Sequence, residues 1–99
     1  MQINVTGNGR TIFSEVPTPT NHPNLSADSQ KMPGDYGVLV EDPAGATVEI
    51  QAKAPESSEW VPVRDASYTD AGLDIFRIVR GFSYAINVTG YTADFDVYI

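Results

Sequence analysis

The sequence predicts an all-β protein: an antiparallel β-sandwich, jelly-roll-like, with an extended N-terminal arm. Short segments alternate apolar and polar residues, which puts the apolar side chains of each on one face of a pleated strand. Clusters of Pro, Gly, Asp and Ser punctuate those segments at the spacing of an all-β fold. No segment makes a convincing helix.

Taken in order, residues 2–5 and 10–14 read as a short opening hairpin. Ile3, Val5 and Ile12 form its apolar face, and Gly7-Asn8-Gly9 supplies the turn. Residues 16–35, VPTPTNHPNLSADSQKMPGD, hold four of the seven prolines and almost no large apolar groups. Proline removes backbone donors and fixes φ, so this stretch is neither an interior strand nor a helix. It reads as a long loop, of a length that in small domains tends to be functional or ordered by a partner. The chain therefore divides into an arm over residues 1–35 and a sandwich over 36–99. A strand-forming segment on a long tether suits strand exchange or capture between subunits. Ile3, Val5, Ile12, Phe13, Val16, Leu25 and Met32 are the expected protein-contact residues. The plainer alternative is a loose N-terminal extension.

Residues 36–40, YGVLV, form a buried strand closed by Glu41-Asp42-Pro43-Ala44-Gly45. In 46–53, Val48 and Ile50 point inward while Thr47, Glu49 and Gln51 point outward. After a turn at residues 55–59, Trp60-Val61-Pro62-Val63 is a short strand that its proline confines to an edge or an end, with Trp60 in the core. Residues 65–72 are polar connector. In 73–79, LDIFRIV, the spacing of Leu73, Phe76 and Val79 also fits a helix. The β-branched content and the Arg80-Gly81 break favour a strand. Phe82, Tyr84, Ile86 and Val88, then Phe95, Val97 and Ile99, predict a closing hairpin around Gly90.

The 99 residues make one domain, with 13 acidic against 6 basic side chains and a net charge of −7. That balance argues against nucleic acid, which needs a basic footprint, and against an anionic membrane surface. No run is long enough to cross a bilayer, and MQINVTGNGRTIF has no basic start followed by an apolar block. Without cysteine there is no disulfide framework, thiolate nucleophile or cysteine-type zinc site.

Catalytic constellations are missing. His22, the only histidine, stands in the proline-rich stretch without an orienting partner. Asp65, Asp70 and Asp74, or Asp94 and Asp96, match no calcium-loop spacing and read as solvated acids. No Gly-x-Ser-x-Gly elbow or phosphate-cradling loop is present. The expectation is a non-enzyme with no cofactor or metal. Tyr68, Tyr91 and Trp60 are the aromatics that a sugar or receptor platform would use, against a plain reading of core and rim packing.

From residue 45 onward the pattern is distinctive: Gly45-Ala46-Thr47-Val48-Glu49-Ile50-Gln51, Trp60-Val61-Pro62-Val63, Gly72, Arg80-Gly81-Phe82-Ser83-Tyr84-Ala85-Ile86-Asn87-Val88-Thr89-Gly90, and a closing Asp96-Val97-Tyr98-Ile99. It resembles small virion proteins of tailed bacteriophages, several of them capsid decoration (cement) proteins. The resemblance covers about the last half of the chain. It implies a β-sandwich or jelly roll, made in the host cytoplasm and carried on the capsid surface of the virion. It further implies a trimer or dimer that contacts the major capsid protein. No functional residue carries over, because the family's role is structural. Tail and fibre components use similar modules, which keeps a carbohydrate- or receptor-binding role open.

Overall fold

The computed structural model describes residues 1–14 and 33–99. Their eight strands are β1 (Gln2–Val5), β2 (Gly9–Ser14), β3 (Gly34–Val40), β4 (Thr47–Lys53), β5 (Val61–Tyr68), β6 (Gly72–Ile78), β7 (Ser83–Thr89) and β8 (Phe95–Tyr98). All pairings are antiparallel, and no helix occurs among the described residues. One sheet runs β1-β8-β3-β6 and the other β2-β7-β4-β5.

The inward residues of both sheets make a single core. Ile3, Val5, Val38, Val40, Phe76, Ile78, Phe95 and Val97 come from the first sheet. Phe13, Val48, Ile50, Ala66, Tyr84, Ile86 and Val88 come from the second. Alternation drives this: in β3 and β4 the residues at every second position, Val38 and Val40, Val48 and Ile50, are fully buried. Aromatic rings fasten the two layers at one end. Phe13 and Phe76 meet edge to face with centroids 5.8 Å apart, and both lie within 6.5 Å of Tyr84. The Tyr84 hydroxyl accepts a hydrogen bond from the Val79 amide at 2.9 Å, tying the β6–β7 connector to the same cluster.

Several expectations need correction. The closing hairpin does not form: β7 lies between β2 and β4, whereas β8 lies between β1 and β3 in the other sheet. Residues 90–94 cross from one layer to the other, with Gly90 at φ +70° and close to the Gly45 carbonyl. The opening hairpin fails in the same way, because β1 pairs with β8 and β2 with β7. Gly7-Asn8-Gly9 is therefore an inter-sheet crossing. Ile12 is 49% exposed, and its neighbour Phe13 takes the core position across a register break between Ile12 and Ser14.

Residues 65–72 are not one connector. β5 continues to Tyr68 and buries Ala66, leaving only residues 69–71 to link it to β6. The division at residue 35 also shifts, since β1 and β2 are built into the two sheets. Ile3, Val5 and Phe13 are consequently core residues rather than an exposed contact set. The strand reading of 73–79 holds as β6, and the edge position expected for Trp60–Val63 holds for β5.

Two outcomes follow from this architecture. A chain starting at Asp35 lacks β2, one of the two partners of β7, and β1, one of the two partners of β8, and loses three core side chains. It should give no cooperative unfolding transition by circular dichroism. Ile86→Ala, at a fully buried site, should lower the unfolding free energy measured in urea by about 2–5 kcal/mol.

Candidate functional site

The strand register gathers the crossings over residues 6–8, 41–46, 69–71 and 90–94 at one end of the sandwich. Val5 pairs with Phe95, Val40 with both Val97 and Gly72, Thr47 with Thr89, and Val48 with Tyr68. Tyr68 and Tyr91 both belong to this end. The Tyr91 amide donates to Asn8 Oδ1 at 2.9 Å, and its hydroxyl donates to Asp94. Thr92 Oγ1 donates to the Ala44 carbonyl at 2.6 Å, so the crossings are bonded to one another. A concavity of about 180 Å³, lined by polar residues including Asn4, Thr6, Asn8 and Arg10, opens beside Asn8.

The hydroxyls of both tyrosines are engaged. Tyr68 donates to Asp74 Oδ2 at 2.9 Å. Burial, then the hydrogen bond and the charge of Asp74, push the Tyr68 phenol up to about 12. The bond to Asp94, with some desolvation, raises the Tyr91 phenol above its ordinary value. Tyr98 is raised chiefly by desolvation, with Glu41 and Asp96 adding to it.

Trp60 is not a core residue. Its ring is half-buried on the outer surface of the β2-β7-β4-β5 sheet, with the Arg10 guanidinium 5.1 Å and Lys53 Nζ 5.8 Å from its centroid. Arg10 Nε donates to Gln51 Oε1 at 3.0 Å, and Gln51 Nε2 donates to Glu49 Oε1 at 2.9 Å. Gln51 sits on the outward side, as its alternation requires, yet is buried there together with Ala85. The register places Trp60 and Tyr68 about five β4 residues apart, roughly 16 Å, with Trp60 on the outer surface and Tyr68 packed against the core. The three aromatics therefore do not converge on one sugar platform.

The outer surface of the other sheet is apolar along its β6 border. Leu73 and Ile75 are 72% and 69% exposed, and the register sets Leu39 opposite Leu73. Beyond them Arg77 Nε and Asp35 Oδ1 pair at 3.0 Å, an exposed bridge that solvent screens. The sequence predicts a strand over residues 73–79 without separating Leu73 and Ile75 from its inward residues. The signal was present, because Phe76 and Ile78 share one parity and Leu73 and Ile75 the other.

Of the expected contact residues, Ile12 alone is exposed among those described, while Ile3, Val5 and Phe13 are buried. Val16, Leu25 and Met32, like His22, lie outside the described residues. Among the described residues, no three carboxylates or other ligating side chains group to hold a metal ion. The chain matches no protein-family model, no curated protein and no solved structure.

Tyrosine ionisation followed by ultraviolet absorbance should show a last step near pH 12, from Tyr68. A folded-state pKa above the unfolded value near 10 contributes stability that is present below pH 10. That contribution is lost as pH rises from about 10 to about 12. Asp74→Asn should move the last step down without abolishing the upward displacement, since burial remains.

Proposed function

We propose that this chain is a structural protein of a tailed-bacteriophage virion, of the capsid decoration type. In this reading it binds the outside of the assembled shell and stabilises it by bridging neighbouring subunits. Strand order is the observation that carries the reading. β1-β8-β3-β6 faces β2-β7-β4-β5, with every connection except β4–β5 passing from one sheet to the other. We read this order as jelly-roll wrapping, an architecture shared by viral capsid domains and lectins. The step from fold to role is an analogy, and the sequence resemblance over the last half of the chain gives it direction.

The charge fits the same picture. A net charge of −7 disfavours contact with packaged nucleic acid and is compatible with an exterior position. Added apolar and polar contact area between subunits raises the cost of separating them. The major capsid protein is the partner, and the chain acts as a homo-oligomer without catalysis or cofactor. The exposed apolar residues available for such contacts include Ile12 and Phe82.

A carbohydrate- or receptor-binding module is the second reading. It draws on the lectin use of the jelly roll and on Tyr68 and Tyr91 sharing one polar end of the sandwich. Binding to a glycan array that disappears with Tyr91→Ala would favour it.

The deciding experiment compares particles assembled with and without this chain. Immunogold label over the head is expected, with shells lacking the chain breaking at lower temperature or milder osmotic shock. Label confined to tails, no label, or shells of equal strength would sink the decoration reading.

A further inference from the structure

Four strands border the two sheets, and three of them are very short, broken in register or interrupted by proline, which discourages pairing with another chain. Of such devices β6 carries one, the charge of Asp74 on its inward row. β1 is only four residues long. β2 has a register break between Ile12 and Ser14. β5 contains Pro62, breaks register opposite Glu49–Gln51, and holds Asp65 at φ +62°. β6 has no proline and no break: seven consecutive pairs run unbroken with β3, from Gly34↔Ile78 to Val40↔Gly72. It is also the border strand whose outward residues, Leu73 and Ile75, are large, apolar and mostly exposed.

We infer that the β6 border is a homodimer interface. A second copy of the chain pairs antiparallel with it about a two-fold axis at Ile75, joining two four-stranded sheets into one of eight. This inference stands apart from the virion reading and names the surface through which two copies meet.

Charge selects both the occupant and the register. Two copies at −7 repel over most of their surface. The outward rows of β3 and β6 carry only Asp35 and Arg77, already paired at 3.0 Å, and so are neutral. Outward side chains match across the new pair only when the axis passes through a residue, which keeps both copies on the same face of the pleat. An axis at Asp74 sets that carboxylate against its own copy, which is unfavourable. An axis at Ile75 sets Ile75 against itself and Leu73 against the other copy's Arg77. Leu39, Leu73 and Ile75 of both copies then form one apolar surface, with an Asp35–Arg77 pair at each of two corners. One bond must be exchanged, because the Ile75 amide donates to Asp74 Oδ1 at 2.8 Å. In the dimer a backbone carbonyl of the second copy takes that donor.

Sedimentation of the full chain over a concentration series, without shells present, tests this. The expected result is a monomer–dimer equilibrium that Ile75→Lys weakens at least about tenfold. Val61→Lys, on the β5 border, should leave it unchanged. Unfolding curves show whether each variant keeps the fold. Because the chain has no cysteine, Ile75→Cys gives a single thiol per copy. Directly opposed strand residues have Cα atoms about 4.5–5.5 Å apart, within disulfide reach. Mild oxidation should link Ile75→Cys chains into covalent dimers and leave Val61→Cys chains unlinked.

A monomer at every concentration, or a trimer, would overturn the inference. So would a dimer insensitive to Ile75→Lys, equal weakening by Val61→Lys, or failure of Ile75→Cys to cross-link. A monomer whose binding to shells is abolished by Ile75→Lys would assign the border to a different partner and equally reject the second copy.

Discussion

The sandwich depends on contact between the inner faces of its two sheets, because hydrogen bonding along the chain cannot assemble it. Only β4 and β5 are both adjacent in sequence and paired in a sheet. Every other connection leaves one layer for the other, so each remaining ladder joins strands distant in sequence. The cost of closing those loops is met before the long-range contacts contribute, which places this topology at the slow end of folding rates. The ring cluster of Phe13, Phe76 and Tyr84 shows what closes the layers: β6 of one sheet meets the paired strands β2 and β7 of the other through side chains alone, across the gap between the sheets. Tyr36 adds β3 through its contact with Phe76.

The same topology explains why β7 looks unlike a surface strand. It has a hydrogen-bonded neighbour on each side, and residues 83–86 are buried whether they face inward or outward. On its outer side, Ala85 is small and Gln51 of β4 is held by Arg10, with Trp60 beside Arg10 and Lys53. Burying the Gln51 amide without partners would be costly, but its oxygen and nitrogen are both hydrogen-bonded. A short polar ladder and an indole therefore serve as a second, thin layer over this sheet.

Strand positions were largely legible from sequence, and their partners were not. Ile3 and Val5, Val38 and Val40, and Val48 and Ile50 announce strands because alternation is a local property. Gly7-Asn8-Gly9 and Gly90 announce reversals, but the same glycine chemistry serves a tight hairpin and a crossing between layers. Nothing within three to five residues distinguishes the two, so local sequence predicts a hairpin at both places where the chain crosses between sheets. Its size and apolar ring predict a core place for Trp60, because large apolar rings are usually buried. The information that moves it outward lies in Arg10 and Lys53, which meet it only once β2, β7 and β4 are aligned. Tyr68 and Tyr91 were singled out, but their hydroxyl partners Asp74 and Asp94 depended on the course of the connectors.

Edges complete the physical picture, because a sandwich of two open sheets has four of them and each exposes unpaired backbone groups. A proline, a register break or a very short strand costs some stability in the isolated chain and in return prevents unwanted pairing. Three borders of this molecule carry such features. Their absence from β6, together with Leu73 and Ile75 on its outward side, is therefore informative. An unbroken apolar border in a chain of net charge −7 sits on the one described sheet surface where the neighbouring Asp35 and Arg77 cancel. In the proposed dimer the outward rows that meet carry no net charge, since Asp35 and Arg77 are paired. Strand geometry and the neutral outward rows thus coincide at one border, and the proposed pairing of two copies rests on that coincidence.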